Sequence, residues 1–141
     1  MTVIMMNARE LILAYTANIA DPVAASTLFA DDGVIELPYL ESLGIPPRIE
    51  GPDAIREFIT GLLERVPDFG FDEVNIFIET DDQIFGEWSV ETTTVDGRPF
   101  SQTYAGRLVA ENGKIKLLRE SLDLVRAARA MLPNGVADIP Q

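Results

Sequence analysis

The 141-residue chain contains neither cysteine nor histidine. Without cysteine there is no disulfide, no thiolate nucleophile and no zinc–thiolate site. Without histidine the commonest metal ligand and the default general base are missing, so acid–base chemistry falls to carboxylates, tyrosines or lysines. A carboxylate-only Mg²⁺ or Ca²⁺ site is conceivable, but no loop has calcium-hand spacing. The acidic pairs Asp31-Asp32 and Asp81-Asp82 read as solvated turns. Positive charge is also scarce: 23 acidic residues against 11 basic ones give a net charge of −12. Such a surface repels nucleic acid and anionic membranes. No apolar run approaches the ~20 residues needed to span a bilayer. The start, MTVIMMNARE, has no basic region ahead of its short apolar run and does not read as a signal peptide. A cytoplasmic protein without cofactor or metal is the expectation, with neither nucleic acid nor membrane as partner.

Length and patterning point to a single domain over residues 1–134, followed by a short tail at 135–141. Asn7 suits the cap of a first helix in which Leu11, Ile12, Tyr15 and Ile19 recur at helical spacing. Asp21-Pro22 opens a second, short helix ending near Leu28-Phe29, and Asp32-Gly33 turns the chain into a strand over Val34–Leu37. Residues 39–50 read as a loop with a brief extended piece at Arg48-Ile49. Gly51-Pro52-Asp53 then starts a helix whose stripe is Ile55, Phe58, Ile59, Leu62, Leu63 and Val66, stopped by Pro67.

The remainder alternates with a period of two. Val74, Ile76 and Ile78 mark one strand; Ile84, Trp88 and Val90 mark the next. Phe100, Gln102, Tyr104, Gly106 and Leu108 share one face of a third strand. Asp96-Gly97 and Asn112-Gly113 are hairpin-turn dipeptides. The last strand leads into an Ala- and Arg-rich helix reaching about Leu132. Helices, short strands, one helix and a four-strand antiparallel meander make an α+β domain, with a curved sheet wrapped over its helices.

Glu120 stands out within NGKIKLLRESLDLVRAARAML. Strict alternation puts it on the face of Lys116, Leu118 and Leu122, and puts Ile115, Leu117, Arg119 and Ser121 on the other. A carboxyl flanked by leucines is desolvated, which raises its pKa and suits a general acid or base near neutrality. A rim glutamate paired with Arg119, Arg126 or Lys116 is the alternative.

The order of LFADDGVIELP, IEGPDAIREFI and the long hairpins ending in NGKIKLLRESLD resembles the nuclear transport factor two-like superfamily, within it the SnoaL-like and ketosteroid isomerase-like branches. The resemblance spans roughly residues 7 to 132. It implies an α+β cone of antiparallel sheet and helices enclosing one pocket, commonly as sheet-to-sheet homodimers. In ketosteroid isomerases an aspartate base precedes a proline; Leu37 stands there, before Pro38, with Glu36 directed to the opposite face. That group's oxyanion tyrosine is matched by Tyr15, and its protonated aspartate falls on Tyr104. The stretches VPDFGFDEVNIFIETDDQIF and ENGKIKLLRESLDLVRAARAML are similar to the phenazine-biosynthesis A/B proteins. There a pocket glutamate in an Arg-Glu pair serves acid–base chemistry in the condensation of amino-ketones, and Arg119-Glu120 matches that pair. The group's partner histidine falls near Phe58. SnoaL-like cyclases use an aspartate late in the sheet, for which Asp123 is the candidate, opposite Glu120 if the strand persists.

The resemblance therefore implies Glu120 as the catalytic group and a pocket lined by Tyr15, Phe58, Leu62, Trp88, Gln102 and Tyr104. Trp88 could equally anchor the core or a dimer interface, and Glu36 and Asp123 suit caps or ion pairs. The expected activity is cofactor-free isomerisation, cyclisation, dehydration or condensation of a hydrophobic, cyclic or polyketide-like small molecule. The alternative is a non-catalytic hydrophobic-ligand carrier or a dimerisation module of the same fold.

Overall fold

The computed structural model describes residues 5–141; the first four residues, part of the start MTVIMMNARE that does not read as a signal peptide, lie outside the described residues. Four α-helices, α1 (Ala8–Ala17), α2 (Pro22–Ser26), α3 (Pro52–Arg65) and α4 (Leu124–Met131), accompany six strands. The strands are β1 (Phe29–Glu36), β2 (Arg48–Glu50), β3 (Val74–Glu79), β4 (Gln83–Thr93), β5 (Pro99–Glu111) and β6 (Lys114–Ser121). They form one sheet in the order β2-β1-β6-β5-β4-β3. The sheet is curved and unclosed, as in the nuclear transport factor two-like cone.

Local chemistry explains the element boundaries. Asn7 and Glu10 make a reciprocal capping box at α1, and Asp21 accepts from the Ala24 amide with Pro22 in the first turn of α2. Helix α3 begins at Pro52 and buries Ile55 and Ile59 completely. Each of those side chains contributes roughly 1.5–3 kcal/mol by leaving water. At the β5–β6 turn, Asn112 and Gly113 both take positive φ, 54° and 78°, the twist that a two-residue hairpin demands.

Four features depart from the pattern-based reading. Strand β1 begins at Phe29, not Val34, and runs through Asp31-Asp32-Gly33 with a register shift between Phe29 and Val34. A β-carbon at Gly33 would lie 2.6 Å from the Ile115 carbonyl oxygen, so glycine serves here for close strand approach. The pairing of β1 with β6 is parallel; the other strand pairs are antiparallel. Within 39–50 the chain makes a 3-10 turn, Pro38–Leu43, that buries Leu40 and Leu43 and ends at Gly44 with φ 76°. Finally, β6 carries a bulge: Val109 pairs with Leu117 while Ala110 pairs with Ile115. The extra residue switches the alternation, so Ile115, Leu118 and Glu120 are all buried on the core side. Past α4, Gly135–Asp138 forms a 3-10 turn and Ile139 packs against the core, so this segment is folded onto the domain.

Candidate functional site

The inner face of the sheet and the helices leave a cavity of about 270 Å³. Helix α1 supplies Tyr15 to its wall, and α3 supplies Phe58 and Leu62. The loop after α3 supplies Phe69 and Phe71, β5 supplies Phe100 and Tyr104, and α4 supplies Ala127 and Met131. Glu120 comes from β6 and is the one carboxyl of the lining, which holds no lysine or arginine.

The rings form a connected wall. Phe71 packs against Tyr15, Phe69 and Tyr104 with centroids 6.3, 5.1 and 5.7 Å apart, and Phe69 continues to Phe100 at 5.7 Å. The Phe71–Phe69, Phe69–Phe100 and Phe71–Tyr104 contacts are edge-to-face, and such contacts each add about 0.5–1.5 kcal/mol beyond burial. They also hold the tyrosine rings beside the carboxyl.

Glu120 is 4% exposed and accepts one hydrogen bond, from the Trp88 indole Nε1–H at 2.7 Å to Oε2. No cation pairs with it among the described residues. Burial raises its pKa from 4.5 to about 7, against the lowering effect of the indole donor. Both protonation states are therefore populated near neutrality. Burial and then the neighbouring Glu120 charge push the Tyr104 hydroxyl well up. Tyr15 is raised by the same two causes in the same order, with Tyr104 adding a third. Both phenols are neutral donors throughout the physiological range, and neither hydroxyl has a hydrogen-bond partner among the described residues.

The pattern-based site is brought together only in part. Tyr15, Phe58, Leu62, Tyr104 and Glu120 line the cavity. Trp88 and Gln102 do not. Trp88, 1% exposed, sits behind the wall with its indole across Gly106 and its N–H on Glu120. Gln102 is turned to the β6–α4 joint, where its amide donates to the Asp123 carbonyl at 2.9 Å and accepts from the Asp123 amide at 2.8 Å. A buried amide is stabilised by such a two-way backbone pairing, which orients it toward the Asp123 backbone.

Asp123 caps α4, accepting from the Val125 and Arg126 amides at 3.0 and 3.1 Å. Glu36 bonds Arg48 and Arg119 at 3.2 and 3.3 Å, so the arginine next to Glu120 in sequence serves the outer face. Phe69, Phe71 and Phe100 were not singled out by pattern. The available signal was the Phe-Gly-Phe stretch after Pro67, together with the placement of Phe100 on the face of Tyr104.

A family model described as a SnoaL-like domain matches residues 9–118. No curated protein matches the chain by sequence. Among solved structures, a phenazine biosynthesis-related protein from Pseudomonas aeruginosa superposes with a TM-score of 0.76 at 22% identity. The match covers 88% of this chain and 84% of that one. A Catenulispora acidiphila protein with a ketosteroid isomerase-like fold, in complex with trimethylamine, gives 0.72 at 19% identity over 89% and 95% of the two chains. TerC, co-crystallised with polyporic acid, gives 0.73 at 19% identity over 87% and 96%. At these identities the likeness is one of fold.

Proposed function

The chain belongs to the SnoaL-like domain family, and from that premise we propose that it is a small cofactor-free enzyme in which Glu120 moves a proton on an apolar cyclic or polyketide-like substrate. The observation that carries this reading is a carboxyl buried without a cationic partner in the wall of a largely apolar cavity. The two neutral phenols beside it supply donors for a substrate oxygen.

In such a site the ionised Glu120 removes a proton from a carbon next to a substrate carbonyl. The electron pair moves onto the carbonyl oxygen, which the Tyr15 and Tyr104 hydroxyls stabilise by hydrogen bonding. The carboxylic acid so formed returns the proton to another position of the same skeleton, which makes the net reaction an isomerisation. If a hydroxyl leaves or a ring closes instead, the same acid protonates the leaving or accepting oxygen. A carboxyl with a pKa of about 7 suits both halves of this cycle. The lining offers an anionic substrate no counter-charge, so the substrate is uncharged where it is enclosed. The cavity volume lies near the lower end of ligand pockets, which run from roughly 300 to 1,000 Å³, and suits a compound of one or two rings.

The test is proton–deuterium exchange on a simple cyclic ketone, 2-tetralone, in D₂O, followed by mass spectrometry. Wild-type protein is expected to accelerate exchange, and Glu120→Gln to lower that acceleration by on the order of 10²-fold or more while still binding the ketone. Equal exchange by the two proteins would overturn the role of Glu120. Binding without any exchange in the wild type would favour a carrier.

The same reading includes a homodimer formed through the outer face of the sheet. Ile78 and Phe85 are paired across β3 and β4 there and are 67% and 41% exposed.

A further inference from the structure

We infer that Trp88 is a positioning residue for the proton-transfer carboxyl: from behind the cavity wall it holds Oε2 of Glu120 and leaves Oε1 as the atom presented to a bound molecule. This rests on the reading of Glu120 as the proton carrier.

The geometry is unusual for a sheet. Trp88 lies on β4 and Glu120 on β6, with all of β5 between them. A side chain on β4 meets one on β6 only if the intervening strand leaves its inner face bare at the crossing. Gly106, the β5 partner of Glu120, does that. A β-carbon at 106 would lie 2.6 Å from both Cη2 and Cζ2 of the indole, inside contact distance of a rigid ring. Glycine is thus required here by the ring, not by backbone torsion. With the ring laid over Gly106, its N–H reaches Oε2 at 2.7 Å.

An indole N–H is a donor only, so it can neither take the proton nor supply one. It holds one carboxyl oxygen and makes the two oxygens inequivalent, which a freely rotating carboxyl is not. A donor fixed on the carboxylate also favours its ionised form. Burial pushes the Glu120 pKa up and the indole donor opposes that push, which favours the ionised base. The other titratable groups in the lining are Tyr15 from α1 and Tyr104 from β5, both neutral in this range; α3 and α4 present none.

Trp88 is the only tryptophan of the chain, so its fluorescence reports this contact without any substrate. In the wild type, emission is expected to titrate with a midpoint near 7, and Glu120→Gln is expected to abolish that titration. The ¹³C-carboxyl resonance of Glu120 gives the second measurement. Trp88→Phe removes the donor, keeps a ring, and is expected to move the midpoint up by about one pH unit. A folded Trp88→Phe protein with an unmoved midpoint overturns the inference. So does wild-type emission that stays flat from pH 5 to 9, a measurement that needs no variant at position 88. Deuterium exchange tests the proton-carrier reading separately: exchange lost in Glu120→Gln alongside an unmoved Trp88→Phe midpoint would leave that reading standing without the positioning role.

Discussion

At the scale of single residues, Glu120 ties the chemistry of the cavity to the stability of the fold. Its pKa is about 7 in the folded protein against 4.5 for a solvated glutamate. Between those values the folded state binds the extra proton, so stability falls as pH rises. The stabilising contribution is fully present below about pH 4.5 and is lost as pH climbs through 7. From pH 5 to pH 8 the loss is about 2 to 3 kcal/mol. Urea unfolding of the wild type at the two pH values is expected to show that decline. Glu120→Gln, which cannot ionise, is expected to remove it, and parallel declines in both proteins would refute the assignment. Asp32, held low by its bond to Lys116, and Asp96, held low by Thr94, work in the opposite direction. Their contributions are present above the usual aspartate pKa and are lost in acid. The stability maximum is therefore expected in mildly acidic solution.

Sequence reasoning reached Glu120 because a carboxyl between leucines conflicts with the pattern around it. It did not place Trp88 and Gln102, because alternation says which face a residue takes and nothing about how far along that face its side chain reaches. Both are on the inner face, as alternation requires. One is held by Glu120 and the other by the Asp123 backbone, and these contacts depend on which residues stand opposite two strands away.

At the scale of elements, α4 closes the cavity through Ala127 and Met131, yet it is only eight residues long. Two arginines from other elements hold its last turn. Arg65 of α3 donates to the Ala130 carbonyl at 2.7 Å. Arg98, just before β5, donates to the carbonyls of Leu132 and of Pro133, the latter at 2.6 Å. Asp96 bonds both guanidinium groups at 3.2 and 3.1 Å and keeps them aligned. Carbonyls at a helix end need such partners. Arg98→Ala is expected to cost about 1–2 kcal/mol and to speed amide exchange selectively over residues 128–132. Unchanged exchange there would show that α4 does not depend on this clasp. The helices α1 and α3 and the hairpin turns were legible from caps, stripes and Asn-Gly or Asp-Gly pairs, because those signals are local. The early start of β1 and its parallel pairing with β6 were not, because they arise where two segments some 85 residues apart meet; nor was the bulge in β6, because an extra residue leaves no mark on the period-two pattern.

For the molecule as a whole, charge and exposed apolar area are the governing quantities. The net charge of −12 opposes close approach of two copies, and an association must be carried by apolar contact strong enough to exceed that repulsion. Ile78, Phe85 and the neighbouring Phe77 offer such a contact, with Arg107 paired opposite Phe85 to temper the negative surface. Light scattering at micromolar concentration is expected to give twice the mass of the 15.5 kDa chain, and Phe85→Asp to return it to one. A wild-type monomer would exclude the dimer. Among the described residues no helix is long and apolar enough to cross a membrane.

The bare strand at Gly106 has a consequence for how this site can vary over generations. Introducing alanine there while the indole is present meets a rigid ring, and losing the indole first leaves the carboxyl without its one donor among the described residues. Neither single step is neutral, so positions 88 and 106 form a linked pair whose members must be exchanged together.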